Sequence, residues 1–227
     1  MATMTRTQFE AELQNLRGKL LEMCSVADSM VAMAMEALTE LDVQLAEEVI
    51  KTDDNVDAMD ISIETECIRL IALQQPIARD LRLIGTAFKV ITDIERIGDH
   101  AVCIAKVARD LAKDSFYKPL VDLPRMAQSV RTMLTEVLTA FVNHDLELAD
   151  KVITADDEVD DIYRKIKAQL FAAMKRDPDA VIQASQFLFV AHYLERIADH
   201  TVNIAERVHY VETGDLIQLV KSHQSNS

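Results

Sequence analysis

The sequence predicts an all-α protein built as two tandem three-helix bundles, six helices in all, from an internal duplication. Three observations carry that expectation. The 227 residues include only 4 Gly and 4 Pro, too few breakers for a turn-rich β-fold. Apolar residues recur at three- and four-residue spacing almost throughout, as at Leu83, Ala87, Val90, Ile94, Ile97, Ala101, Ile104, Ala108 and Leu111. That is the seam a helix offers its neighbours. Finally, Glu95-Arg96-Ile97-Gly98-Asp99-His100 returns as Glu195-Arg196-Ile197-Ala198-Asp199-His200, at an offset of 100.

Breaks in the apolar pattern place the helices at 6–41, 45–72, 77–112, 124–142, 146–175 and 179–212. Gln75-Pro76 closes the second helix and sets Pro76 at the start of the third, where a missing N–H costs nothing. Asp177-Pro178 does the same between the fifth and sixth, and Gly214 is a C-terminal stop. The stretch from Asp114 to Leu123, with its Tyr117-Lys118-Pro119, joins the halves, and Ser222 to Ser227 reads as a frayed end. A second repeat supports this division. Asp53-Asp54-Asn55-Val56-Asp57 matches Asp156-Asp157-Glu158-Val159-Asp160 at an offset of 103, each after a Val-Ile pair. Because the motifs keep their order, the halves run 1–115 and 116–227. Short connections make successive helices antiparallel neighbours, so each half closes into a bundle.

Charge narrows the function. With Asp+Glu 38 against Lys+Arg 24, the net charge is −14. Nucleic-acid binding is excluded, because phosphate contacts need clustered cations that no stretch supplies. Cations, or basic patches on protein partners, fit better. Met1 to Gln8 is polar, and no apolar run approaches the roughly 18 residues of a membrane span, so a cytoplasmic location is expected. Cys24, Cys67 and Cys103 are odd in number and far apart, and read as reduced, buried thiols. The ten Met residues, several at Met23, Met30, Met33 and Met35, read as adaptable core filling.

The candidate site is a set of carboxylates. Acidic residues four apart share a helical face. In each half one such pair lies on the second helix (Asp53 and Asp57; Asp156 and Asp160) and one on the third (Glu95 and Asp99; Glu195 and Asp199), each a residue off an apolar seam. If those shoulders face each other, four carboxylates converge, and bound cations would relieve their repulsion. Oxygen-only ligands suit Mg²⁺ or Mn²⁺, and bridging carboxylates could also hold ferric iron. His100 and His200 are turned about 100° from the pairs and read as supporting or surface groups. His192 has Thr92 as its counterpart and is left out; Asp60 and Glu64 face Tyr163 and Lys167 in the repeat and read as solvated charges.

Gln75-Pro76-Ile77-Ala78-Arg79-Asp80-Leu81-Arg82, followed by Asp93 to His100 and later by Phe189 to His200, resembles the PhoU family over nearly the whole chain. The resemblance implies two three-helix bundles whose Glu/Asp-x-x-x-Asp motifs bind metal, carried over here to Asp53, Asp57, Glu95, Asp99, Asp156, Asp160, Glu195 and Asp199. It further implies a negative regulator of phosphate uptake and phosphate-starvation signalling, acting as a homodimer between a phosphate ABC transporter and a sensor histidine kinase. One departure stands out. Asn203-Ile204-Ala205-Glu206 is family-like, whereas the first repeat has Cys103-Ile104-Ala105-Lys106, so inequivalent metal faces are expected.

Two other readings compete. A ferritin-like di-iron oxidase wants Glu-x-x-His on two helices of a four-helix bundle, whereas here each His follows its Glu by five residues. A metal-free helical scaffold is the other. No nucleophile–base pair, phosphate-cradling glycine loop or cofactor motif occurs, and the chain is not expected to be an enzyme.

Overall fold

The structure, a computed structural model, describes residues 6–112 and 122–215. The first half comprises α1 (Arg6–Glu40), α2 (Val43–Gln74) and α3 (Ala78–Leu111), and the second α4 (Asp122–Asn143), α5 (Leu146–Arg176) and α6 (Val181–Thr213). There is no strand among the described residues. Every helix bound lies within two residues of its expected place. The join at 115/116, most of the linking stretch and the tail from Ser222 lie outside the described residues, while Asp122 and Leu123 belong to α4 rather than to the link.

The two α-hairpins that open each half use the same device. Leu41 (φ 55) and His144 (φ 58) take the left-handed conformation after α1 and α4. The next residue, Asp42 or Asp145, then donates its N–H to the carbonyl of Ala37 or Ala140 at 3.0 Å, closing the preceding helix. The same aspartate caps the following one. Asp42 accepts from Gln44 N and Leu45 N, and Asp145 from Leu148 N. These turns also stand 103 apart, which extends the duplication to α1 and α4.

The proline turns differ from expectation. Left-handed Gln75 (φ 46) and extended Ile77 carry the chain round before α3 begins at Ala78, so Pro76 precedes the helix and is not in its first turn. Pro178 opens a short 3-10 turn, Pro178–Ala180, and α6 starts at Val181. Gly214 (φ 84) ends α6 as expected, its N–H reaching Tyr210 O at 3.0 Å.

Each half is a three-helix bundle, and the halves also pack on each other, α3 along α6 and α1 against α4. The α3/α6 pair is antiparallel, since Arg79 meets Glu212, Asp93 meets His200 and His100 meets Tyr193. One apolar core therefore runs through both bundles, with Ile94, Ile97 and Ile104 of α3 and Leu194, Ile197 and Ile204 of α6 fully buried. Each such side chain contributes roughly 1.5–3 kcal/mol by leaving water, which makes the shared seam the main source of cohesion. Met23, Met30 and Met35 fill it, and Cys24 and Cys67 are buried free thiols. Burial pushes the Cys67 thiol up to about 12, so it stays protonated.

Candidate metal centre

On the first face α2 packs on α3, with Val56 and Ile63 of α2 and Ile94 and Ile97 of α3 buried, and the acidic shoulders follow one residue round each helix. Gly98 lets the two helices close. A Cβ there would stand 3.3 Å from Asp53 Oδ1 and 3.6 Å from Val56 Cγ1, so the α2 carboxylate lies over the α3 backbone beside Glu95 and Asp99.

The carboxylates of this face feel one another. Partial burial, then Asp57 and Asp99, raise the pKa of Asp53 above the ordinary carboxylate range, with Lys106 opposing. Burial, then Asp99, raise that of Glu95, with Asp57 and Asp60 adding and Arg96 opposing. The structure thus brings Asp53, Asp57, Glu95 and Asp99 into one field. Asp60, read from the sequence as a solvated charge, is half-buried and belongs to that field, because it lies one helical turn beyond Asp57.

Arginines relieve the repulsion. Arg96 Nη1 donates to Asp99 Oδ2 at 2.8 Å and its Nε stands 3.3 Å from Glu95 Oε2; Arg196 Nη1 donates to Asp199 Oδ2 at 3.1 Å. As the side chains lie, no three His, Cys, Asp or Glu among the described residues are gathered closely enough to hold an ion. The donors nevertheless suit a hard cation: all oxygen, mutually repelling, three of the four partly withdrawn from water with Asp57 exposed, and Asp53 seated closely against Gly98. Both arginines are exposed and free to turn outward.

The second face repeats the plan with other neighbours. Asp156 is 4% exposed, while Asp160, Glu195 and Asp199 are half-buried. His192, left out of the sequence-based set, has Nδ1 3.3 Å from Glu195 Oε2, and the Tyr163 ring lies 6.4 Å from the His192 ring. Burial and then the Glu195 charge raise the Tyr163 hydroxyl, which puts that α5 residue opposite the α6 carboxylate. The His192–Glu195 spacing of one helical turn was a visible signal; the Thr92 counterpart obscured it.

His100 and His200 lie neither on the carboxylate shoulder nor on the open surface. Their rings, 5.7 Å apart, sit in the α3/α6 contact, where His200 Nδ1 meets Asp93 Oδ1 at 2.9 Å and His100 stacks on Tyr193. Burial, then the nearby His200 and Arg196, push His100 down to about 4, so it is neutral at physiological pH.

Comparison with known proteins places this geometry. A family model described as the PhoU domain matches residues 20–108 and again 123–208. A Clostridium acetobutylicum protein named phosphate-specific transport system accessory protein PhoU homolog is 43% identical over 95% of this chain and 99% of its own. An Aquifex aeolicus protein of the same name is 39% identical over 91% of this chain and 94% of its own. The crystal structure of PhoU from Pseudomonas aeruginosa superposes with a TM-score of 0.88 at 36% identity, over 91% of this chain and all of that one. The phosphate transport system regulatory protein PhoU from Streptococcus pneumoniae superposes at 0.87 with 31% identity, over 93% of this chain and all of that one. By sequence and fold alike, the chain belongs to the PhoU family.

Proposed function

We propose that this protein is a negative regulator of phosphate uptake and phosphate-starvation signalling, a cytoplasmic adaptor between a phosphate ABC transporter and a sensor histidine kinase. The carrying observation is near-complete coverage by relatives named as accessory proteins of the phosphate-specific transport system. No helix among the described residues is long and apolar enough to cross a membrane, so contact with membrane partners is assigned to their cytoplasmic parts. The working form is a homodimer.

Metal binding is part of the proposal. Asp53, Asp57, Glu95 and Asp99 would hold Mg²⁺, Mn²⁺ or ferric iron in the first half, and Asp156, Asp160, Glu195 and Asp199 in the second, with His192 beside Glu195. A bound cation would supply the positive charge these faces lack and tie α2 to α3 and α5 to α6. Arg96 and Arg196 hold α3 and α6 carboxylates in place and give them up when a cation arrives. The same arginines are what favour the second reading, a metal-free scaffold in which the neutralisation is already complete. The oxidase reading loses ground, because His100 and His200 are engaged at the α3/α6 contact. The relatives, moreover, are named as accessory proteins.

Deleting the gene tests the regulatory reading. A phosphate-responsive reporter should be switched on in phosphate-replete medium, and a reporter that stays silent would overturn the assignment.

A further inference from the structure

In a chain of net charge −14, one corner of the fold concentrates positive charge. There the middle of α1, the start of α3, the α4–α5 turn and the end of α6 meet. Arg79 Nη2 donates to both oxygens of Glu212 at 2.8 and 2.9 Å, and His144 Nδ1 reaches the same carboxylate at 2.7 Å. Arg82 spends Nε and Nη2 on the carbonyl of Val211, leaving Nη1 beside Gly214, where a Cβ would stand 3.4 Å away. Arg17 is half-buried within electrostatic reach of Arg79, Glu212 and Asp80, and its Nε is buried with no hydrogen-bond partner among the described residues. Asp80 is taken by Arg6 at 2.8 Å. Arg6 also holds Glu10 at 2.8 Å, so four arginines face three carboxylates.

A buried guanidinium donor without an acceptor is costly, and a neighbouring arginine adds repulsion. By the duplication, Arg79, Arg82, His144 and Glu212 correspond to Asp179, Ile182, Leu41 and Ala112, so this arginine–histidine–glutamate set is not repeated at those positions. Glu212 occupies the corner as an internal anion whose hydrogen bonds go to Arg79 and His144, while its charge also reaches Arg17.

We propose that this corner binds a tetrahedral oxyanion of the phosphate class, held by Arg17 and Arg79 with Arg82 and His144 beside them, and that Glu212 competes for the same donors. The unspent donors come from different elements, which suits an anion with several acceptor oxygens better than a planar carboxylate. This inference stands apart from the carboxylate faces and from the regulatory reading.

The test is calorimetric titration of the chelator-treated full chain with inorganic phosphate. One saturable site is expected, weakened about tenfold or more in Arg17→Gln, as loss of a charge-assisted donor implies. The same site should be tightened in Glu212→Gln, where the competitor is neutralised, and unchanged in the distant Glu95→Ala/Asp99→Ala variant. Opposite signs in the two corner variants cannot arise from general loss of folding, which circular dichroism monitors in parallel. Absence of saturable binding, or binding unchanged in Arg17→Gln, would overturn the proposal. So would binding that needs added metal and vanishes with Glu95 and Asp99. A final arm uses phosphatidylglycerol vesicles: retention on vesicles that depends on Arg17, without binding of free phosphate, would assign the corner to a lipid headgroup and sink the free-anion version.

Discussion

The two carboxylate faces share a backbone plan and differ in what surrounds it. Asp53 is half-buried against Gly98, whereas its counterpart Asp156 is buried, at 4% exposed. Asp99 has 41% of its side chain exposed and Asp199 only 21%. The first face carries Asp60 where the second carries Tyr163, and Thr92 where the second carries His192. Duplication kept the carboxylates while neighbouring positions changed, so the first face is the more open and more acidic, the second the more enclosed and better supplied with hydrogen-bonding rings. The contact between halves teaches the same lesson. Asp28 of α1 and Arg131 of α4 are equivalent positions that meet each other, and the identical residues of an ancestor have become a bidentate ion pair at 2.9 Å.

The largest expected effect tests whether the halves behave as one body. Ile94 and Leu194 are equivalent, fully buried and part of the common core, so Ile94→Ala or Leu194→Ala should each cost roughly 2–5 kcal/mol. In either variant the whole helical signal should melt in one transition. Two separated transitions in denaturant would show that the bundles fold independently.

A smaller effect is expected at the Asp28–Arg131 contact. Asp28→Ala should cost on the order of 1 kcal/mol, because both partners are part-exposed, and Asp28→Arg should cost more by setting two arginines face to face. The charge-swapped pair, Asp28→Arg with Arg131→Asp, should recover most of the loss. A swap as unstable as Asp28→Arg alone would show that packing, not charge, governs the position.

The smallest effect is in pH. Burial and like charges raise Asp53 and Glu95, so the folded, metal-free chain holds their protons more tightly than the unfolded chain. These groups therefore add stability as pH falls from neutrality toward the ordinary carboxylate range, and lose it as pH rises. His100 works oppositely between 6.5 and about 4, because it is held neutral in the fold. The readable quantity is accordingly the difference between the parent and Asp53→Asn/Glu95→Gln, whose stability curve should lack the acid-side gain. Parallel curves would contradict the convergence of the first face.

Much of this architecture was legible because it is local. Apolar spacing located six helices, and the two motif repeats announced two bundles. The i,i+4 carboxylates on α3 had to share a face, and the bundle then had only to turn α2 toward them, as Gly98 permits. What escaped the sequence depends on long-range placement or on residues that break local habit. Leu41 and His144 adopt left-handed turns that glycine or asparagine would advertise, and only their 103-residue offset marks them. Arg96 reads as one more surface cation until its reach to both Glu95 and Asp99 is seen. Arg17, Arg79 and Glu212 lie too far apart in the chain for any pattern to join them. His100 and His200 were visible as a repeat, yet the antiparallel crossing of α3 and α6 decides what they touch.

The central claim, that the duplicated carboxylates are cation sites and not solvated faces, is tested most directly by thermal melts with and without added Mn²⁺, Mg²⁺ or Fe³⁺. The parent is compared with Glu95→Ala/Asp99→Ala and with Glu36→Ala/Glu40→Ala, an exposed acidic i,i+4 pair outside the repeated motif. Without metal, the first variant should be as stable as the parent or more so, since it loses like-charge repulsion and only exposed arginine contacts. With metal, it should lose most of the upward shift in Tm that the parent and the control both show, because a ligand stabilises only the state that binds it. Equal metal shifts in all three proteins would contradict the site at Glu95 and Asp99, and a marked loss of metal-free stability would show that these carboxylates serve the fold instead.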